Sequence, residues 1–151
     1  MFAPKKILVP TDFSDFSDNA LAQAVDIARQ HKSTIYLLHV IGVLRQCSFD
    51  YCLPDAMVED IRRESIASAQ EMMQTQIGKV GKPSDVEIVT DIRESGFTYE
   101  EILSEQKAKN VDLIVIASHG KTGLLHHLIG SVADKVTRSA TCPVYLVRGT
   151  K

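Results

Sequence analysis

The chain alternates between short apolar runs and longer stretches in which apolar residues recur every three or four positions. Five runs have the length of strands and are rich in β-branched residues: 6–10, 34–40, 86–90, 112–117 and 143–148. Four are almost continuously apolar, as in strands covered on both faces, whereas the run at 86–90 alternates as at a sheet edge. The pattern predicts a mostly parallel five-stranded sheet.

Four helical patterns separate the predicted strands. Thr98 and Glu101 match a capping box, so we expect Thr98 to cap the third helix. The order βαβαβαβαβ predicts an open, doubly wound α/β sheet with helices on both faces, formed by residues 1–151 as a single domain. The four helices are predicted to start after the polar segment 14–18, at Pro54, at Thr98 and at Gly130.

Asp12 follows the first strand, and ligands of open α/β sheets bind beyond the carboxyl ends of the strands. A carboxylate at this position can accept hydrogen bonds from ribose hydroxyls or hold a metal through water. The alternative is an N-cap for the first helix, a role for which Ser14, Asp15 and Ser17 compete. We expect Asp91 to lie at the end of the third strand.

The segment after the fourth strand is rich in small residues and leads to Gly130-Ser131 at a predicted helix start. Small residues let the backbone approach a ligand closely, and the N–H groups of a helix N-terminus favour an anion. The alternative is a surface loop with an ordinary helix start. A Walker A phosphate-binding motif is excluded, because Val115 stands where the motif requires its first glycine. The turn after the first strand also lacks the glycine-rich fingerprint of dinucleotide-binding proteins.

The charge balance excludes some partners. Seventeen Lys plus Arg against nineteen Asp plus Glu give a net charge of -2, so we expect no nucleic acid and no membrane partner. No apolar run is long enough for a membrane span, and residues 6–10 are interpreted as a strand rather than as part of a signal peptide.

The chain has three cysteines, which cannot all pair within one chain, and this favours a reducing cytoplasm. Cys47 and Cys52 are predicted to be free thiols, with a redox-switched disulfide as the alternative. They fall in residues 41–53, a stretch without a clear pattern that we expect to be poorly ordered or to form a lid. His126 and His127 lack a second ligand pair, so we predict no structural zinc.

Four segments together resemble the universal stress protein family, and the resemblance runs essentially from end to end. Nucleotide-binding members carry Gly, two residues, Gly, nine residues, Gly, then Ser or Thr. The matching positions here are Ala117, Gly120, Gly130 and Ser131, with Ala117 as the departure. The segments are ILVPTDFS (7–14), LLHV (37–40), DLIVIASHG (112–120) and GSVA (130–133).

The resemblance implies strand order 3-2-1-4-5 in a Rossmann-like fold and a bound adenine nucleotide, ATP or AMP, with Mg or Mn carried by its phosphates. It implies that Asp12 holds the ribose, that Val40 meets adenine through its backbone, and that Gly120, Gly130 and Ser131 line the phosphate path. The complete predicted set is Pro10, Thr11, Asp12, Val40, Ala117, Ser118, His119, Gly120, Gly130, Ser131 and Val132.

At Ala117 the added methyl group weakens phosphate contact modestly if the family's glycine serves close approach. If that glycine requires positive φ, the loop must rearrange. Lys121, also on this loop, is interpreted as a solvated cation.

The last strand, with Val144, Tyr145, Leu146 and Val147, leaves an apolar edge near the chain terminus. Such an edge is a pairing template, and the resemblance implies the same edge-to-edge homodimer. The function predicted is a cytoplasmic nucleotide-dependent sensor or interaction module of the stress response with an unknown protein partner. At most it is a slow ATPase, since no general base or arginine finger is evident.

Two alternatives remain. A family member without nucleotide could act only as a dimeric partner-binding module, which Ala117 alone favours. A receiver-type phosphoacceptor would use Asp12 and Asp91, but it needs a further acid near the first strand and a lysine after the fifth, where Arg148 stands.

Overall fold

The computed structural model describes residues 1–44, 47, 51–81, 83–120 and 129–148. Within these residues strands and helices alternate along the chain, as the apolar pattern predicts. The elements are β1 (Lys6–Thr11), α1 (Asp15–His31), β2 (Thr34–Ile41), α2 (Asp55–Lys79), β3 (Ile88–Glu94), α3 (Thr98–Lys109), β4 (Leu113–Ala117), α4 (Ser131–Ser139) and β5 (Val144–Val147).

The strands form one parallel sheet in the order β3-β2-β1-β4-β5. The predicted doubly wound α/β fold and strand order are therefore confirmed. The chain moves outward from β1 to β3 in one direction and then returns to β4 on the other side of β1. This reversal opens a crevice between the carboxyl ends of β1 and β4, where open α/β sheets bind ligands.

Alternate side chains of the strands build a core on each face of the sheet. Val9, Leu37 and Val115 belong to a first cluster, which α1 and Met73 of α2 cover. Leu38 and Ile116 point to the other face and join a second cluster with residues of α3 and α4. Both faces of the central strands are covered, which explains their nearly continuous apolar sequences.

The edge strand β3 lies further along the chain than its sequence pattern predicts. It runs from Ile88 to Glu94, so the predicted range 86–90 is wrong at both ends. Pairing with β2 sets the bounds, since Ile35 aligns with Ile88 and Ile41 with Glu94. The second half of β3 is polar, so a prediction based on apolar runs does not detect it. Asp91 consequently lies within the strand rather than at its end.

The helix starts agree only in part with the predicted caps. Ser14 caps α1, and its side chain accepts a hydrogen bond from Ser17 N. The predicted cap of α3 is wrong, because Thr98 is already the first helical residue and Phe97 occupies the N-cap with extended backbone. A capping residue must stand outside the helix with extended dihedrals, which Thr98 does not have.

An ion pair fastens α3 to the edge of the sheet. Arg93 Nη2 of β3 donates to Glu105 Oε2 at 2.9 Å, and the Glu105 side chain is almost completely buried. The contact holds α3 over the second cluster, where Ile102 of this helix is fully buried. It thereby positions a residue that also lines the crevice.

Cys47 and Cys52 form a disulfide across an isolated antiparallel bridge, with their Cα atoms 4.0 Å apart. The prediction of two free thiols at these positions is wrong. The bridge turns the chain back on itself and brings together two thiols that sequence spacing alone leaves apart. Of the stretch 41–53, residues 45, 46 and 48–50 lie outside the described residues, and so does the expectation of a lid there.

Candidate functional site

A cavity of about 310 Å³ opens at the carboxyl edge of the sheet, on the face covered by α3 and α4. The structure brings all eleven sequence-predicted site residues to its lining, although they come from three strands, two loops and a helix. Seven further lining residues escaped the sequence reasoning: Ser17, Leu38, His39, Thr98, Ile102, Ile116 and Ala133.

Asp12 lies at the rim of the cavity, directly after β1. Its Oδ1 accepts hydrogen bonds from Ser14 N at 3.1 Å and from Ser14 Oγ at 2.6 Å. Ser14 is the cap of α1, so Asp12 braces the cap rather than replacing it. The two bonds fix the carboxylate, a hydrogen-bond acceptor suited to sugar hydroxyls.

Gly120 lies against Asp12 from the loop that follows β4. An ideal Cβ on Gly120 would stand 2.5 Å from Asp12 Oδ2 and 3.6 Å from Asp12 Cγ. No real Cβ accepts the first distance, so only glycine lets this backbone approach the carboxylate without displacing it. Glycine here serves close approach, as its place in the motif implies.

The N-terminus of α4 forms another part of the lining. Gly130 is its N-cap, and Gly130 N donates to Ser118 O at 2.7 Å. A Cβ on Gly130 would stand 3.3 Å from that same oxygen, so the helix start packs tightly on the loop after β4. The first-turn N–H groups after Gly130 have no intrahelical acceptors, which makes this end of the cavity attractive to an anion.

Ala117, which the family resemblance equates with the first glycine of the motif, is the last residue of β4. Its backbone does not have positive φ, so the possibility that the loop must rearrange does not arise. By the alternation of the strand its methyl group packs in the first cluster, whereas Ile116 and Leu38 face the cavity side of the sheet. The structure thus accommodates Ala117 without closing the cavity.

An apolar part of the lining comes from β2 and β4, the two strands on either side of β1. Leu38 and Val40 share a face of β2, and Ile116 of β4 extends the surface they form. The period-two pattern around Val40 was a signal that could have identified Leu38. Thr98 and Ile102 come from α3, and only the packing of this helix on the sheet reveals them.

Ser118 and His119 lie between Ala117 and Gly120 in the loop after β4. The Ser118 side chain is buried, and its Oγ lies 2.8 Å from His119 Nδ1. The His119 ring stands 5.9 Å from the ring of Phe16, centroid to centroid. These contacts give His119 a structural place in the loop.

Metal and membrane features complete the description. Within the described ranges no cluster of three or more His, Cys, Asp or Glu side chains is arranged to hold a metal ion. Lys121, Thr122, His126 and His127 lie outside them. None of the described helices combines the length and the hydropathy needed to cross a membrane.

The fold and cavity agree with the comparisons with known proteins. The model of the universal stress protein family matches residues 4–148, and the chain belongs to this family. A curated relative, universal stress protein MJ0531 of Methanocaldococcus jannaschii, is 33% identical over 147 residues, which cover 97% of this chain and 84% of the relative.

Solved structures share the architecture. The structure of MJ0577 from the same organism superposes with a TM-score of 0.83 at 27% identity, covering 99% of both chains. The universal stress protein of Archaeoglobus fulgidus in complex with dAMP superposes with a TM-score of 0.67 at 21% identity, covering 97% of this chain and 99% of that one. At that identity the second likeness concerns the fold alone.

Proposed function

We propose that this universal stress protein binds an adenine nucleotide, ATP or AMP, in the cavity at the carboxyl edge of its sheet. The observation that carries the proposal is the arrangement of three chemically different walls around one cavity. An apolar surface, a fixed carboxylate and a helix N-terminus match a base, a sugar and a phosphate in turn.

The base would pack on the apolar wall formed by Leu38, Val40 and Ile116. Flat aromatic rings gain most from such a surface, and backbone groups of Val40 provide the polar contacts that orient adenine. The ribose would bond to Asp12, whose carboxylate two hydrogen bonds from Ser14 hold in place. The phosphates would extend past Gly120 toward the start of α4.

Support from the relatives is consistent with this proposal. The Archaeoglobus fulgidus protein of the same fold is solved in complex with dAMP, an adenine nucleotide. Its identity to this chain is low, so the assignment here depends on the residues of this cavity. Ala117 is the sole feature that favours a family member without nucleotide, and its placement within β4 leaves the cavity open.

Mg or Mn would accompany the nucleotide through phosphate oxygens, because a metal bound in this way needs few protein ligands. We expect any ATP hydrolysis to be slow, since the described residues that line the cavity include neither a lysine nor an arginine to stabilise developing charge. In this proposal the protein acts as a sensor or interaction module of the stress response in the cytoplasm, with a protein partner still to be identified, and not as a dedicated enzyme.

A homodimer through β5 is part of the proposal. The strand reads VYLV and carries no charge, whereas the opposite edge strand β3 reads IVTDIRE and carries three charged residues. Charged side chains discourage edge-to-edge pairing, so the two edges differ in the way that a dimer through β5 requires. Tyr145 is 45% exposed on this edge.

A receiver-type phosphoacceptor is the weaker candidate. Its second carboxylate, Asp91, lies within β3 and is paired with Arg93 at 3.1 Å. Strands β2 and β1 lie between β3 and β4, so Asp91 is not on a strand that borders the crevice between β1 and β4.

Nuclear magnetic resonance mapping with AMP tests the location of the site. The proposal predicts that the amides of Asp12, Val40, Gly120 and Ser131 shift together and saturate with one dissociation constant. Shifts confined to another surface, or an unchanged spectrum at millimolar AMP, would refute it.

A further inference from the structure

Gln76 is a buried amide in α2 that no part of the proposed site contains. Its side chain is 2% exposed and faces the turn between β1 and α1. Burying an amide without partners costs free energy, so its hydrogen bonds decide what this residue contributes.

Every polar hydrogen and the carbonyl oxygen of the Gln76 amide have a partner. Its Oε1 accepts from Thr11 Oγ1 at 2.9 Å. Its Nε2 donates to Ser17 Oγ at 3.2 Å and to Asp18 Oδ1 at 2.8 Å. The Asp18 carboxylate also accepts from Lys79 Nζ at 2.6 Å, so the amide orientation is fixed by a carboxylate on one side and a hydroxyl donor on the other.

These partners lead to the carboxylate at the rim of the cavity. Thr11 Oγ1 accepts from Phe13 N at 3.0 Å, and Ser17 Oγ donates to Ser14 O at 2.8 Å. Ser14 in turn donates two hydrogen bonds to Asp12 Oδ1. The hydroxyls that contact Gln76 therefore hold the backbone on both sides of Asp12.

The turn that they hold has an unfavourable conformation. Phe13 has φ of 62°, in the left-handed region that non-glycine residues adopt rarely. Residues in this region persist where surrounding contacts impose them, often beside functional sites. The bond from Phe13 N to Thr11 Oγ1 supplies one such contact, and Gln76 orients that hydroxyl.

We infer that Gln76 is a positioning residue of the nucleotide site, which acts through Thr11 and Ser17 to hold the turn that presents Asp12. The inference rests on the proposed function. It also assigns a role to the carboxyl-terminal half of α2, which these bonds link to the site. By thermodynamic reciprocity a bound nucleotide stabilises the docking of this part of α2 on the sheet.

The test compares Gln76→Met with Met73→Ala. Methionine has a similar length and no hydrogen bond for Thr11, whereas Met73→Ala removes a buried contact of the same helix and leaves the Gln76 bonds intact. Each purified variant is titrated with ATP and Mg by calorimetry, and its unfolding is followed in urea. Hydrogen exchange at the Phe13 and Ser14 amides is measured without nucleotide.

We expect Gln76→Met to weaken ATP binding at least about fivefold and to speed exchange at both amides, because the variant loses all three hydrogen bonds of the amide. Met73→Ala lowers the unfolding midpoint and leaves affinity within about twofold. If the wild-type protein binds ATP, the proposed function stands. Equal losses of affinity in both variants, or no loss in Gln76→Met, would then overturn the inference about Gln76. Absence of wild-type binding overturns the proposed function instead, and unchanged exchange in Gln76→Met overturns the positioning role independently of it.

Discussion

The backbone of Gly120 touches the carboxylate of Asp12 so closely that an ideal Cβ on the glycine would stand 2.5 Å from Asp12 Oδ2. The two residues are far apart in sequence and belong to the loops after β4 and β1. Their contact joins the ribose side of the proposed site to its phosphate side. The contact leaves no room for a side chain on the residue at position 120 of the proposed site.

Replacing this glycine by alanine should displace the Asp12 carboxylate. We predict that Gly120→Ala weakens ATP affinity about tenfold or more, equivalent to ~1.4 kcal/mol, because the ribose loses its acceptor. The free energy of unfolding should change by less than about 1 kcal/mol, since Gly120 is half-exposed. Gly42→Ala is the matched control, because a Cβ at Gly42 meets nothing within 4 Å. Equal affinities of the two variants would contradict the prediction.

Gly130 tests the phosphate end of the site. A Cβ at this position would stand 3.3 Å from Ser118 O, so alanine must push the start of α4 away by a few tenths of an ångström. We predict that Gly130→Ala weakens ATP binding moderately and that Gly130→Val abolishes it, while far-ultraviolet circular dichroism stays unchanged in both. AMP should lose less affinity than ATP in Gly130→Ala, because fewer phosphates reach this end. Undiminished ATP affinity in Gly130→Val would exclude the proposed phosphate path.

The two edges of the sheet should respond differently to an added charge. We predict that Tyr145→Lys on β5 converts the proposed dimer to a monomer, because a buried, unpaired ammonium group opposes strand pairing. Val89→Lys on the other edge strand is the control, since Val89 is 37% exposed in the edge that already carries charges. Light scattering after size-exclusion chromatography gives the masses. A wild-type monomer, or dissociation by both changes, would contradict pairing through β5.

The Cys47–Cys52 disulfide determines how many thiols of each chain can react. We predict one reactive thiol per chain in protein kept without reductant and three after reduction in denaturant. The remaining thiol, Cys142, should be alkylated slowly at neutral pH, because burial raises the pKa of the Cys142 thiol above its ordinary value and keeps it protonated. Its rate should increase as the pH rises toward that pKa. Three reactive thiols in the unreduced native protein would contradict the Cys47–Cys52 bond.

The same disulfide bears on the predicted location. Two of the three cysteines on which the argument for a reducing cytoplasm rested are paired in the structure. Disulfides of cytosolic proteins are usually transient, so a cytoplasmic protein should contain this bond in only part of its molecules. Rapid alkylation in intact cells followed by mass spectrometry measures that fraction. Complete oxidation during normal growth would place the protein in an oxidising compartment.

Most of the fold and of the candidate site could be predicted from local sequence patterns. The apolar runs of β1, β2 and β4 are long and buried on both faces, so their pattern identified them within a residue or two. Asp12 and Gly130 were identifiable because strand ends and helix starts are positions with known chemistry.

What escaped prediction depends on contacts between distant segments. The bounds of β3 follow from its pairing with β2. This pairing cannot be predicted from a polar sequence such as Thr90-Asp91. Thr98 and Ile102 reach the cavity only because α3 packs over the sheet. Gln76 resembles a surface residue in sequence, and its burial depends on hydroxyls from another part of the chain.

The most direct measurement is a calorimetric titration of nucleotide-stripped protein with ATP and Mg, repeated with AMP and GTP. Two temperatures are needed, because the heat-capacity change of binding prevents a zero enthalpy at both. We predict saturable binding of ATP or AMP at one site per chain, weaker binding of GTP, and a loss of about tenfold or more in Asp12→Ala, as removal of a charged acceptor implies. Absence of heat with both ATP and AMP at both temperatures would contradict the proposed nucleotide site.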